Sequence, residues 1–137
     1  MKTFLAISAA LILLVLAGMF SKVVRAQTPQ VTLSVGSIYQ SSGFVCTTRE
    51  HAERVQAAQV QGEAQGDAVV NSLVSARVCG PFYGQTYVVL EIGRTENVQM
   101  DGQTLPLTVV VIASPRNREA QLFMLTISPV NRDQAAK

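Results

Sequence analysis

The sequence predicts an α+β fold: an N-terminal strand, a short helical pair bracketed by a disulfide, and then an antiparallel meander of three or four strands. Three observations support this fold class. The apolar period is two at the start of the domain, changes to helical spacing between Cys46 and Cys79, and returns to two in the C-terminal half. The pattern leaves open whether the meander rolls into a small barrel.

The first 26 residues have the layout of a secretory signal peptide. A cationic start precedes an apolar run over residues 4–20, and Val24-Arg25-Ala26 ends in a small residue suited to cleavage before Gln27. Lys22 and Arg25, however, place positive charge on the side that would cross the membrane, which opposes translocation. The alternative is therefore an uncleaved N-terminal anchor that holds the domain at the membrane.

Downstream of the signal peptide the chain is near neutral. Three of the 11 cationic residues lie in the first 26, which leaves eight cations against nine acidic residues. Such a balance argues against a basic stripe that binds nucleic acid or anionic lipid. We expect a signal peptide at 1–26, one exported α+β domain at 27–130 and a frayed polar tail at 131–137, with membrane association only if the signal peptide is retained.

The first strand is predicted from alternation. Val31, Leu33 and Val35 alternate with polar residues, so they form one face of a half-buried strand that ends at Gly36. Residues 41–43 are predicted to form a turn that follows it.

Two helices are predicted inside the loop that the cysteines bracket. Thr47-Thr48-Arg49-Glu50 fits a capping box, with the Thr47 hydroxyl as the cap, and Gly62 is a suitable C-terminal stop. Asp67 is the predicted cap of a second, shorter helix. Its apolar face comprises Val69, Val70, Leu73 and Val74.

The rest of the chain is predicted to be β-structure. Residues 87–92 are rich in β-branched and aromatic side chains, and Asp101-Gly102 is a strong hairpin signal. A long apolar run follows at 105–113, and a turn at 115–118 leads to the last strand at 121–127. We expect three consecutive antiparallel strands in this region.

Cys46 and Cys79 are the only cysteines, and in an oxidising compartment an isolated pair is interpreted first as one disulfide. A redox or metal-binding pair is the alternative. It is less well supported, because the chain has no Cys-x-x-Cys motif and a single histidine. We expect no metal and no cofactor.

Catalytic candidates are few. His51 falls in the first turn of the first predicted helix with no nucleophile in a neighbouring motif, so an exposed surface histidine is the better interpretation. Glu91 lies in an apolar strand, where a buried carboxylate could act as an acid. Alternation instead places it on the face of Tyr87 and Val89, exposed to solvent beside Arg94.

Four residues form a candidate contact surface. Tyr83 and Tyr87 follow a Gly-Pro pair and could line a binding face for a peptide or sugar, although core packing around the disulfide explains them more simply. Arg116 and Arg118 lie in a predicted turn and could contact a carboxylate or phosphate, although a solvated hairpin tip is the simpler interpretation.

A resemblance supports the predicted location. The layout Phe44-Val45-Cys46-Thr47-Thr48, then a helical stretch with Asn71, then Val78-Cys79-Gly80 resembles small exported proteins of unknown function from Gram-negative bacteria. It covers residues 44–92. The resemblance implies an envelope location and a paired cysteine, and it implies no activity, cofactor or site residue.

These observations together predict a small secreted or periplasmic domain without catalytic activity, which acts by contact with an envelope protein or a cell-surface component. Two alternatives remain open. One is an N-terminally anchored ectodomain of a membrane assembly, and the other is a small hydrolase that uses Glu91 or His51.

Overall fold

A computed structural model describes residues 31–132. The predicted signal peptide, residues 27–30 and the tail beyond Arg132 lie outside the described residues. The order of elements confirms the predicted α+β class: a strand, two helices and an antiparallel meander. In chain order the elements are β1 (Ile38–Cys46), α1 (Arg49–Gln61), α2 (Glu63–Ser75), β2 (Cys79–Met100), β3 (Gln103–Ser114) and β4 (Asn117–Thr126).

The four strands pair antiparallel in the order β1-β2-β3-β4, and β4 pairs back with β1. This last ladder is short, because it joins only residues 44–46 of β1 to 123–125 of β4. The strand order therefore closes on itself, which is the rolled form of the meander. Pairing of β2 with β3 begins at Val88 and Ala113, so residues 79–87 of β2 extend beyond β3.

The sheet has an apolar cluster on each face. One cluster packs against the two helices and contains the disulfide. The other lies under the chain segments that precede β1 and follow β4. The helix-side cluster includes Phe44, Val55, Val70, Leu73, Met100, Leu107, Val109 and Leu125, and the opposite cluster includes Leu33, Tyr87, Val89, Ile92, Val110, Ile112 and Met124.

The predicted N-terminal strand at residues 31–35 is wrong. This segment makes a single parallel bridge, between Leu33 and Val130, and the first strand is β1, which includes the predicted turn at 41–43. A side chain fixes the segment: the Tyr39 hydroxyl accepts a hydrogen bond from Ser34 N–H (2.8 Å) and donates one to the Thr32 carbonyl (3.1 Å). Alternation alone does not distinguish this packed segment from a strand.

Both predicted helices are present, with different first residues. Thr48 caps α1, accepting from the His51 N–H at 3.2 Å, because the Thr47 N–H continues the sheet by donating to the Val78 carbonyl (2.8 Å). Gly62 ends α1 as predicted, and α2 begins directly after it. Asp67 therefore lies inside α2 and does not cap it.

Glycine at position 66 lets the two helices approach closely. A Cβ atom there would overlap the side-chain amide of Gln59, which is fully buried on α1. Close contact of this kind between helices depends on the missing side chain, since a methyl group would occupy the position of the amide. The helical pair is thus packed as one layer on the sheet.

The β2–β3 hairpin is confirmed. Asp101 and Gly102 form the two-residue turn with φ angles of 50° and 75°, the positive values that a type I′ turn needs at both central positions. A second two-residue turn, Pro115-Arg116, joins β3 to β4. The predicted turn at 115–118 is therefore two residues shorter.

A bulge corrects the predicted faces of β2. Val89 pairs with Ile112 and Glu91 with Val111, so Leu90 is an extra residue in the ladder. The extra residue shifts the alternation by one position, which moves Ile92 onto the face of Tyr87 and Val89.

Candidate binding groove

An apolar groove lies where β2 extends beyond β3. We call this cavity of about 270 Å³ the end groove. All four strands line it: Val45 from β1, Phe82 and Tyr87 from β2, Ile112 from β3 and Leu122 from β4. Ligand sites occur preferentially in such openings at the end of a closed sheet.

Two further cavities adjoin the end groove and share lining residues with it. One, of about 340 Å³, shares Val45 and Leu122, passes over the disulfide and contains Arg77. The other, of about 580 Å³, shares Gln85, Thr86 and Ser114 and contains Arg116. In the described part of the chain, no aspartate or glutamate lines any of the three. An apolar centre therefore has an arginine on either side.

Arg77 has an unusual backbone conformation for a residue with a side chain. It follows the end of α2 with φ of +60°. Its N–H donates to the Val74 carbonyl (3.0 Å), and the Val78 N–H donates to the Leu73 carbonyl (3.1 Å). These two bonds define a Schellman motif, in which the residue in the left-handed conformation is usually glycine. Arginine thus occupies a position where glycine would be less strained.

The predicted contact surface is divided by the structure. Tyr83 is exposed and Arg116 and Arg118 are exposed near the β3–β4 turn. Tyr87 is buried, so it does not offer a free surface and instead lies beneath the groove. The sequence does not point to Arg77, because its place in the cavity lining depends on where α2 ends.

Tyr87 is held in place from both sides. Its hydroxyl shares a 2.8 Å hydrogen bond with the Ser41 hydroxyl, and its ring makes an edge-to-face contact with Phe82 at 6.0 Å. Burial raises the pKa of the Tyr87 hydroxyl, with a further contribution from Tyr39. The residue is therefore neutral at physiological pH and serves as a rigid apolar support for the groove.

The catalytic candidates lie elsewhere. Glu91 lies in a cavity of about 640 Å³ between α1 and β2, which we call the charged groove; its charged lining residues are Arg49, Glu53, Glu91, Arg94 and Glu96. The Glu91 carboxylate accepts two hydrogen bonds from Arg49, at 2.9 and 3.3 Å. The partner of Glu91 is therefore Arg49. The expected neighbour, Arg94, instead lies near Glu96, with 3.9 Å between Arg94 Nη1 and Glu96 Oε1.

His51 is half-buried in the first turn of α1, which corrects the expectation of an exposed histidine. Its Nδ1 is buried and has no hydrogen-bond partner among residues 31–132. His51 does not line the charged groove, so the structure does not bring the two catalytic candidates into one site.

The disulfide is confirmed. Cys46 and Cys79 face each other across β1 and β2 and are joined by an S–S bond, with Cα atoms 4.0 Å apart. Such a bond fits an oxidising compartment. Within residues 31–132 no group of three or more His, Cys, Asp or Glu side chains is arranged to bind a metal.

None of the helices described has the length and apolar composition needed to cross a membrane. No protein-family model, no curated protein and no solved structure matches the chain. The resemblance to small exported proteins therefore stays a prediction.

Proposed function

We propose that this protein is a small exported binding module without catalytic activity, which acts by contact with a partner protein outside the cytoplasm. The observation that carries the proposal is the end groove: an apolar opening lined by all four strands, with Arg77 and Arg116 beside it and no carboxylate from residues 31–132 in its lining. Apolar centres with arginine nearby are typical of surfaces that bind proteins.

The disulfide supports the proposed location. A cross-strand cystine is stable in the periplasm or outside the cell and is rare in the cytosol. The signal-peptide pattern in the first 26 residues is the sequence counterpart of this argument. N-terminal sequencing of the protein from cells separates the two forms: a start at Gln27 supports export with cleavage, and retention of Met1 in membranes supports an anchored ectodomain.

The end groove and the cavities beside it combine exposed apolar side chains with arginines that lack a carboxylate partner among residues 31–132. Leu122 and Ile38 line the connected cavities with 38% and 58% of their surface exposed. Covering such surface with a partner removes it from water, while a carboxylate on that partner could pair with either arginine. Residues 31–132 by themselves neither bury these two side chains nor provide a carboxylate that pairs with Arg77 or Arg116.

Site-directed photo-crosslinking tests the proposal. Benzoylphenylalanine replaces Leu122 in the end groove or, as the control, Val60 in the charged groove; their exposed fractions are 38% and 49%. Each variant is made in the cells that export the protein, and irradiated envelope fractions are compared. We expect one discrete protein adduct from position 122, reduced by excess unlabelled mature protein, and none from position 60. Absence of an adduct at 122, or equal adducts at both positions, contradicts the proposal.

A further inference from the structure

We infer that the end groove binds an extended protein segment whose apolar side chains lie between two carboxylates about eight residues apart. The inference rests on the proposed function and adds the chemistry of the partner. It is based on four features of the groove: its length along β2, the unpaired edge of β2, the charge at its two sides and the backbone conformation of Arg77.

The length follows from strand geometry. Arg77 lies immediately before Val78, and Arg116 lines the same cavity as Thr86. Val78, which precedes β2, is eight residue steps from Thr86, and a fully extended chain of that length spans roughly 26 Å at about 3.3 Å per residue. The distance along β2 is somewhat shorter, because the register shift opposite residues 41–43 places an extra residue in β2 there. A bound segment in extended conformation needs a similar number of residues to pass from one arginine to the other. Helical segments of that size would be only about half as long.

The edge of β2 beside the groove also suits an extended partner. Thr47 N–H donates to the Val78 carbonyl, which makes Cys46 and Cys79 a non-hydrogen-bonded pair. The backbone groups of Cys79 therefore point away from β1, and by alternation so does the carbonyl of Pro81, which has no N–H. This part of the edge thus offers a partner two carbonyl acceptors and one N–H donor. No strand among residues 31–132 pairs with that side of β2 before Val88. Addition of a strand to such an edge is a common mode of peptide recognition.

The charges favour acidic ends on the partner. Arg77 and Arg116 have no ion-pair partner among the described residues, in contrast to Arg49 and Arg94. Arginine binds carboxylates through two parallel hydrogen bonds when the geometry allows, and lysine or neutral ends on the partner would gain nothing comparable.

The backbone conformation of Arg77 is the fourth observation. Glycine at this position of a Schellman motif would remove the strain of φ at +60°, yet the chain carries arginine there. Strained backbone conformations cluster at functional sites, where a side chain is kept despite its cost to stability. Arg77 meets the geometric condition for such a role, because its side chain lines the cavity beside the end groove.

Two other occupants fit less well. The chain's own apolar N-terminal run is flanked by Lys2, Lys22 and Arg25, which two arginines would repel. A second copy could offer the carboxylates near its β2–β3 turn. That tip, however, is polar, because Gln99, Gln103 and Thr104 are its exposed neighbours. An apolar groove would gain little from covering it.

Fluorescence anisotropy with synthetic peptides tests the inference on the mature, oxidised protein. The probe carries an aspartate at each end and about seven alternating valine and serine residues between them; the matched peptide has glutamine at both ends. At low salt we expect the aspartate peptide to bind about tenfold more tightly, with the difference lost in high salt. Equal affinities, or no binding of the aspartate peptide, would overturn the inference.

Three variants assign the effect to the groove. Arg116→Glu should weaken binding of the aspartate peptide at least about fivefold, whereas Arg94→Glu in the charged groove should leave the affinity unchanged. Arg77→Gly should raise the melting temperature and weaken binding. A purely structural arginine would show no loss of binding, so an unchanged affinity for Arg77→Gly overturns the inference.

These outcomes are separable from failure of the proposed function. If position 122 gives a protein adduct while the peptides do not discriminate, the module still binds a partner and only the proposed partner chemistry is wrong. If position 122 gives no adduct, both conclusions fail. Concentration-dependent dimerisation that Arg116→Glu abolishes would identify a second copy as the occupant and would also overturn the inference.

Discussion

The charged groove and the end groove are surface depressions of one small domain, but their arginines are used differently. In the charged groove Arg49 pairs with Glu91 and lies 5.5 Å from the centroid of the Phe123 ring. On the connected cavities at the end of the sheet, Arg77 and Arg116 have no carboxylate partner within residues 31–132. In the charged groove the arginines have carboxylates beside them within the molecule, closely for Arg49 and loosely for Arg94, whereas Arg77 and Arg116 are available to a partner.

Whether a charged side chain is paired within the fold helps to distinguish a structural role from a binding role in a chain without a recognisable motif. Charges that the fold neutralises explain how α1 is held on the sheet, because Arg49 joins the start of α1 to β2 and β4. Charges left unmatched beside exposed apolar side chains indicate where another molecule binds. The total charge of the chain does not show the distinction, since the two kinds of arginine count equally.

The largest expected effect comes from removing the disulfide, which lies in the wall beside the end groove and brackets both helices. Replacing Cys46 and Cys79 with serine should lower the free energy of unfolding by roughly 3 to 4 kcal/mol, because a loop of about 34 residues is no longer closed in the unfolded chain. Denaturant unfolding measures this, and thiol titration of the denatured, unreduced protein should detect no free thiol. Two thiols per chain would contradict the disulfide.

Alanine substitutions at two glycines, Gly93 in the charged groove and Gly80 near the end groove, test how tightly the two regions are packed. A Cβ added at Gly93, which lines the charged groove, would lie 2.7 Å from the backbone carbonyl oxygen of Val109, whereas one added at Gly80 meets no atom within 4 Å. Gly93→Ala should therefore destabilise the fold by about 1 to 3 kcal/mol. Gly80→Ala, beside the disulfide, should change it by less than about 0.5 kcal/mol. Similar melting temperatures for the two variants would contradict the prediction that position 93 is more tightly packed than position 80.

Arg49 tests whether the charged groove is structural. Arg49→Ala removes the contacts with Glu91 and Phe123 and should cost about 1 kcal/mol in the free energy of unfolding. Its matched control is Arg94→Ala, whose side chain is 77% exposed and 3.9 Å from Glu96; its effect should stay within about 0.5 kcal/mol. Neither variant should change binding at the end groove. Loss of peptide binding in Arg49→Ala with an unchanged melting temperature would give the charged groove a functional role.

Local signals explain which parts of the fold the sequence predicts. Both helices, the stop at Gly62, the Asp101-Gly102 turn and the disulfide depend on residues close in sequence or on the only cysteine pair, so they could be predicted. The bulge at Leu90 could not be, because it arises from the register of β2 against β3. The same is true of residues 31–35, whose alternation is satisfied by packing rather than by strand pairing.

The candidate site was only partly predictable for the same reason. Arg116 follows from a turn signal and Tyr87 from a cluster of aromatics near Gly-Pro, whereas Tyr83 of the same cluster lines none of the three cavities. The end groove itself forms where β2 passes beyond β3, which depends on the lengths and pairing of distant strands. Arg77 becomes significant only once the helix end and its positive φ are known, since its sequence neighbours contain no binding motif.

The smallest expected effect is at the acidic side chains near the start of α2, the end of the helix opposite Arg77. Burial raises the pKa of the Asp67 carboxyl above 3.8, with further contributions from Glu63 and Asp101. The folded protein therefore holds this proton more tightly than the unfolded chain does. Its contribution to stability is complete below about pH 3.8 and is lost as the pH rises through the raised pKa.

Asp67→Asn, which resembles the protonated carboxyl, should accordingly match the wild-type free energy of unfolding at acidic pH and exceed it at neutral pH by less than about 1 kcal/mol. Denaturant unfolding of both proteins between about pH 3 and pH 7 measures the difference. High salt should remove the part due to Glu63 and Asp101 and leave the part due to burial. A variant that is less stable than the wild type at neutral pH but not at acidic pH would show that the Asp67 carboxylate is stabilised in the fold, and that its pKa is lowered.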